Sequence, residues 1–200
     1  MSFMKALFQG ANSTPELKTY PKIKIEGYKG PAVVVVSCVA HEGEKPRAHP
    51  HNLVSPAAVG REGCKRGVCT MNVPYIPSQN EDMTVEFQHL GIQCVRKRDI
   101  GDALKQREQI RVDPYRQGFD HMNSPQAVDL NAVRLCFQVQ QADSKQSNQQ
   151  FLFCSIFKIW QFFWQVFLEN SNSPGKYTVP LPPVCSKPIF DAKAKKTLQV

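Results

Sequence analysis

AVVVVSCV at residues 32–39 is an uncharged run dominated by valine. β-Branched side chains lose rotamer freedom in a helix and pack well on a pleated surface, so the run reads as a strand. Because it does not alternate with polar residues, it suits a strand buried on both faces. AVRLCFQV at 132–139 gives the complementary signal. Val133, Leu135, Phe137 and Val139 point one way, and Arg134 and Gln138 the other. KIKIE at 22–26, with Ile23 and Ile25 on one face, VCTMNV at 68–73 and MTVEF at 83–87 extend the period-two pattern. Gly27, Gly30-Pro31, Gly60, Gly67 and Gly91 punctuate these runs as turn residues. Many short strands at this spacing predict an all-β antiparallel sandwich.

GIQCVRKRDI at 91–100 joins an apolar half directly to three cations. Ile92, Cys94 and Val95 read as the buried end of a strand, and Arg96, Lys97 and Arg98 as the loop that leaves it. One short peripheral helix follows. Asp99 can cap it, Asp102 lies three residues on, and Ile100, Ala103 and Leu104 form an apolar stripe. Asp113-Pro114 closes the segment, since a residue before proline is pushed out of the α region.

The chain has 200 residues, enough for a sizeable core without disulfides or metals. Lys+Arg of 25 against Asp+Glu of 17 gives a net charge of +8, a balance that favours an acidic partner such as nucleic acid. The seven cysteines are odd in number and widely spread, and MSFMKALFQ is no secretory signal. They are therefore expected to be reduced, intracellular thiols, several of them small core residues. His49 and His51 ahead of Cys64 and Cys69 match no standard zinc spacing. No nucleophile–base pair, paired-carboxylate site or Gly-rich phosphate loop stands out, so neither an enzyme nor a cofactor is expected.

Residues 140–165 differ in composition from the rest. QQADSKQSNQQ is polar and of low complexity, and FLFCSIFKIWQFFWQVFL at 151–168 is densely aromatic. Lys158, Gln161 and Gln165 weaken a membrane-spanning reading. Apolar residues around the whole wheel weaken an interfacial-helix reading. Exposed, such a patch would mark an interaction or aggregation site.

Read in order, NSTPELKTYP at 12–21, GYKGPAVVVVSCV at 27–39, HPHNLV at 49–54, GREGCKRGVCT at 60–70, LGIQCVRKRDI at 90–100, REQIRVDPYRQGF at 107–119, DLNAVRLCFQV at 129–139 and PLPPVCSKPIFD at 180–191 resemble the Rel/NF-κB family of transcription factors, in particular its insect Dorsal-like members. The resemblance implies an immunoglobulin-like (p53-like, Rel-type) β-sandwich that contacts DNA with its loops. It covers most of residues 10–139 and 166–200, and implies a sandwich over 10–191 and the start of an interdomain linker at 192–200.

Three departures from the family pattern follow. The family runs CFQV straight into FLE, whereas here residues 140–166, or equally 139–165, intervene, as a retained in-frame intron or alternative exon would produce. The strand should then end at Val139 and resume at Val166, or lose its second half. The Arg-rich loop with which the family reads bases should precede Gly10, and Met1–Gln9 stands in its place. Arginines that pair bidentately with guanine contribute roughly 1–3 kcal/mol of discrimination each, so sequence selectivity should suffer. The second, dimer-forming domain and the basic nuclear-import run would lie beyond Val200.

What the resemblance leaves for DNA is a phosphate-gripping set. Arg96 and Lys97 match two backbone-clamping positions, with Arg98 beside them. Lys193 matches a basic linker residue, and Lys18 flanks the missing loop. His49 and His51 resemble a surface loop with a packing or hydrogen-bonding role, and Asp129 and Asn131 are expected to satisfy a turn. The implied partners are DNA at κB-like sites and, for a full-length parent, Rel-family dimer partners and an ankyrin-repeat inhibitor. No small-molecule substrate or membrane is implied, and the location is cytoplasm and nucleus. The alternative is a truncated regulatory isoform that acts through its aromatic insert.

Overall fold

The computed structural model describes residues 5–7, 14, 16–55, 62–76, 82–142 and 177–190. Among the described residues twelve strands run in chain order: β1 (Lys5–Leu7), β2 (Lys22–Lys24), β3 (Ala32–Val39), β4 (Asn52–Val54), β5 (Glu62–Lys65), β6 (Val68–Val73), β7 (Thr84–Glu86), β8 (Gly91–Gln93), β9 (Ala132–Ala142), β10 (Tyr177–Pro180), β11 (Val184–Cys185) and β12 (Ile189–Phe190). One helix, α1 (Ile100–Gln109), interrupts them. The large sheet has the order β10-β9-β3-β6-β5, with β11 and β12 also paired to β9, and it faces the small sheets β1-β8-β4 and β2-β7. Every strand pairing between these elements is antiparallel.

The core sits between the layers. Val34, Val36, Cys38, Leu135 and Phe137 from the large sheet meet Ile25, Leu53, Val85, Phe87, Leu90 and Ile92 from the other side. Phe87 and Phe137 cross that gap with ring centroids 5.3 Å apart. The outer face of β3 is covered too: Val33 and Val35 cluster with Val68 and Val112. Both faces of the valine run are thus out of water, which is why it carries no polar alternation. Ile25 is buried and Ile23 packs against the same core, matching the face read from KIKIE.

Several sequence expectations shift. Strand β9 does not stop at Val139. It continues to Ala142, with Gln140 and Gln141 opposite Val33 and Ala32 on one side and Pro180 and Val179 on the other. The aromatic segment 151–168 lies outside the described residues. Strand β8 ends at Gln93, so Cys94 is exposed and Val95 half-buried, because the chain leaves the sheet two residues early. Helix α1 closes after Gln109, ahead of Asp113-Pro114, where Arg111 turns the backbone at φ 54°. Asp99 precedes the helix, but its side chain makes no cap hydrogen bond and instead lies 3.5 Å from the Arg98 Nε.

The thiol expectation also needs correction. Cys64 and Cys69 form a disulfide, because the β5–β6 hairpin sets them directly opposite each other with Cα atoms 4.0 Å apart. That register is invisible in a count of scattered cysteines. Cys38 and Cys136 are buried free thiols, as small core residues should be, whereas Cys185 is half-buried. Among the described residues, no helix is long and apolar enough to cross a membrane.

Candidate nucleic-acid interface

The cationic cluster grows from the central strand of a small sheet. In β8, Gln93 pairs with Lys5 of β1 and Asn52 of β4. Beyond it Arg96 stays extended, and Lys97–Asp99 form one 3-10 turn that runs into α1. The Asp99 amide donates to the Arg96 carbonyl at 2.9 Å, which closes the turn. Arg96, Lys97 and Arg98 are all exposed. Arg98 is near Asp99, but Arg98 is 74% exposed, and an ion pair that wet contributes little.

The turn is exposed but its root is not. The Val95 amide donates to His51 Nδ1 at 3.3 Å, and His51 Nε2 donates to the Leu130 carbonyl at 3.1 Å. The His51 amide in turn donates to His49 Nδ1 at 3.2 Å, while His49 Nε2 donates to the Asp129 carbonyl at 2.9 Å. Each Nδ1 accepts a backbone N–H, so each ring is neutral and carries its proton on Nε2. Burial and the neighbouring His51 push the His49 pKa down to about 3. The two histidines are therefore not surface residues. They are 2% and 3% exposed and serve as hydrogen-bonding struts, a packing role consistent with their residue type. Asp129 also closes its own turn: its Oδ1 accepts from the Asn131 amide at 2.8 Å.

From the other side α1 holds the turn down. Ile100 and Leu104 are fully buried against Ala48, Phe119, Met122, Val128 and Leu130. One turn later on the same stripe comes Arg107, 1% exposed. Its Nη2 donates to the His51 carbonyl at 3.1 Å and to Asn52 Oδ1 at 2.6 Å, and its Nη1 to the Arg66 carbonyl. The sequence reading missed this residue. The available signal was an arginine at the i+7 position of an apolar stripe begun by Ile100 and Leu104. A shallow cleft of about 320 Å³ between the end of β8 and α1 is bordered by Arg96, Arg98, Asp99, Asp102 and Gln106. Its mixed charge leaves Arg96 and Arg98 at the rim, with exposed Lys97 between them in sequence, as groups able to meet an anion. Lys18 is exposed on the segment leading to β2, and Lys193 lies outside the described residues. Among the described residues no group of three or more His, Cys, Asp or Glu side chains could hold a metal.

A sandwich with a basic turn fixed at its edge is the architecture of an immunoglobulin-like nucleic-acid-binding domain. Residues 6–155 match the Rel homology DNA-binding domain, and the chain belongs to that family. It is 49% identical over 191 residues to the embryonic polarity protein dorsal of Drosophila melanogaster, covering 96% of this chain and 15% of that protein. The RelB homologue of Xenopus laevis is 32% identical over 96% of this chain and 30% of its own length. Human c-Rel is 30% identical, over 96% and 24%. The chain thus spans a third or less of these relatives. Among solved structures, the Dorsal homologue Gambif1 bound to DNA superposes with a TM-score of 0.70 at 43% identity, covering 92% of this chain and 83% of that one.

Proposed function

We propose that this chain is the N-terminal DNA-binding sandwich of a Rel/NF-κB transcription factor of the Dorsal type. The observation that carries the reading is the 43% identity, over nearly the whole chain, to a Dorsal homologue whose structure was solved on DNA. Arg96 and Lys97, with Arg98 beside them, grip the phosphate backbone, and Lys193 and Lys18 add charge from the linker and from the segment before β2. The buried struts at His51 and Arg107 support this assignment, since an immobilised turn loses little entropy on meeting its ligand. The relatives are described as transcription factors, which speaks against an enzymatic role. Dimer partners, an inhibitor and shuttling between cytoplasm and nucleus belong to the parent protein in this reading, with the nucleus as the site of action.

Residues 140–166 are an insertion in the family pattern. Binding through the exposed cationic turn is phosphate-driven and salt-dependent. With three or four contacts, log K should fall with log salt at a slope of roughly −3 to −4. A gel-shift titration against a κB-like duplex and a scrambled one, at several salt concentrations, tests this. Salt-indifferent binding would contradict it. The alternative of an isoform working through its aromatic insert is not favoured, because it rests on residues 151–168 alone, whereas the family relationship covers nearly the whole chain.

A further inference from the structure

Strand β9 places Cys136 opposite Cys185 of β11. The adjacent pair, Leu135 and Ser186, is the hydrogen-bonded one: the Ser186 amide donates to the Leu135 carbonyl at 2.8 Å. In an antiparallel ladder the next pair is then non-hydrogen-bonded, where Cα atoms come within about 4.5 Å and side chains approach most closely. The same closely spaced cross-strand arrangement occurs at Cys64 and Cys69, which are joined by a disulfide. Cys136 and Cys185 are free.

Their surroundings differ in a way that divides the roles. Cys136 is fully buried, whereas Cys185 is half-buried and reachable from solvent. The Cys185 sulfur lies 3.2 Å from the Tyr115 hydroxyl and hydrogen-bonds with the Cys136 thiol. The Cys136 thiol, the Tyr115 hydroxyl and the Arg134 guanidinium together favour the Cys185 thiolate and hold that thiol below the usual range. The hydrogen bond to Cys185 and burial push the Cys136 thiol up. A thiolate is the nucleophilic form of cysteine.

We propose that Cys136 and Cys185 are a peroxide-oxidisable thiol pair, with Cys185 the attacking and Cys136 the resolving sulfur. The Cys185 thiolate attacks a hydroperoxide, the S–O bond forms, the O–O bond breaks, and the leaving alkoxide or hydroxide takes a proton from solvent. The Cys136 sulfur then attacks the resulting sulfenic acid. The S–S bond forms as the S–O bond breaks, and hydroxide departs with the Cys136 proton as water. Two thiols and one hydroperoxide become a disulfide, one water and one alcohol (or a second water). The two electrons come from the sulfurs. The product fastens β11 to β9 covalently.

Peptide mapping of the whole folded chain after titration with hydrogen peroxide tests the pair. The expected product is a Cys136–Cys185 cross-linked peptide with the loss of two hydrogens, formed at lower peroxide than oxidation of exposed Cys94. In Cys136→Ser and Cys136→Ala variants Cys185 should persist as a sulfenic acid captured by dimedone. In Cys185→Ser, Cys136 should stay reduced. Tyr115→Phe should slow cross-linking of the otherwise unchanged pair. Oxidation at Cys94 with no Cys136–Cys185 link in the unsubstituted chain would overturn the pairing. Dimedone capture at Cys136 in the Cys185→Ser chain would overturn the assignment of roles.

Discussion

The guanidinium of Arg107 donates to Asn52 Oδ1 at 2.6 Å inside the protein, joining helix α1 to strand β4. Its other acceptors are the carbonyls of Arg66, Pro50 and His51. Desolvation lowers its pKa, the mark of a cation held among neutral oxygens. Removing it leaves several buried acceptors without a donor, and each such orphan costs about 1–3 kcal/mol. Arg107→Ala should therefore lower the unfolding free energy by about 3 kcal/mol or more. Arg107→Lys should recover little, because an ammonium cannot reproduce the planar fork. Urea unfolding of both variants checks this; full recovery by lysine would contradict the geometric argument.

Gly67 turns the β5–β6 hairpin at φ +73°, and a Cβ there would collide with the Arg107 guanidinium and Asn52 Oδ1. Gly43 has nearly the same backbone angle, +76°, with nothing within 4 Å of its Cβ position. Alanine at Gly43 should cost only the left-handed strain, about 1–2 kcal/mol. At Gly67 the collision adds to that strain, and the loss should exceed the Gly43→Ala value by at least about 1 kcal/mol. Equal melting temperatures for the two variants would remove the steric explanation.

His49 is neutral in the fold with its pKa near 3, against an ordinary value of 6.5. Between those values the unfolded chain binds a proton that the native chain does not. Stability is therefore full above pH 6.5 and declines as pH falls toward 3. The slope approaches about 1.4 kcal/mol per pH unit below pH 6, so roughly 1.6 kcal/mol should be lost between pH 6.5 and pH 5. Chemical unfolding across that range, on the parent and on His49→Gln, measures it. The variant should start less stable and show a flatter pH profile.

Arg96 and Lys97 are exposed. The double change Arg96→Ala with Lys97→Ala should leave stability within about 0.5 kcal/mol. It should also lower the salt slope of DNA binding by about 2 and abolish retention on heparin. Retention equal to that of the parent chain would end the assignment of these residues to the phosphate backbone.

Strands β3 and β9 were legible because a valine run and a two-residue alternation are local statements about which faces are dry. Helix α1 was legible from Ile100, Ala103 and Leu104, and the cations from their own side chains. The strands β4 and β8 are harder to read: each is only three residues long and gains its place from partners far along the chain. His49 and His51 looked like loop residues because a polar side chain announces exposure unless its acceptors are known. Here those acceptors lie near residue 130, about 80 positions away.

By itself the order of apolar and polar residues determined that this chain forms an antiparallel sandwich and bears a basic turn after one of its strands. Only the tertiary structure decided which groups hold that turn, which cysteines face each other across strands, and which histidines stay uncharged. The physical reason is range. Periodicity is set by neighbours along the backbone, whereas burial of a charge, a proton or a thiol depends on atoms that only folding brings within a few ångströms.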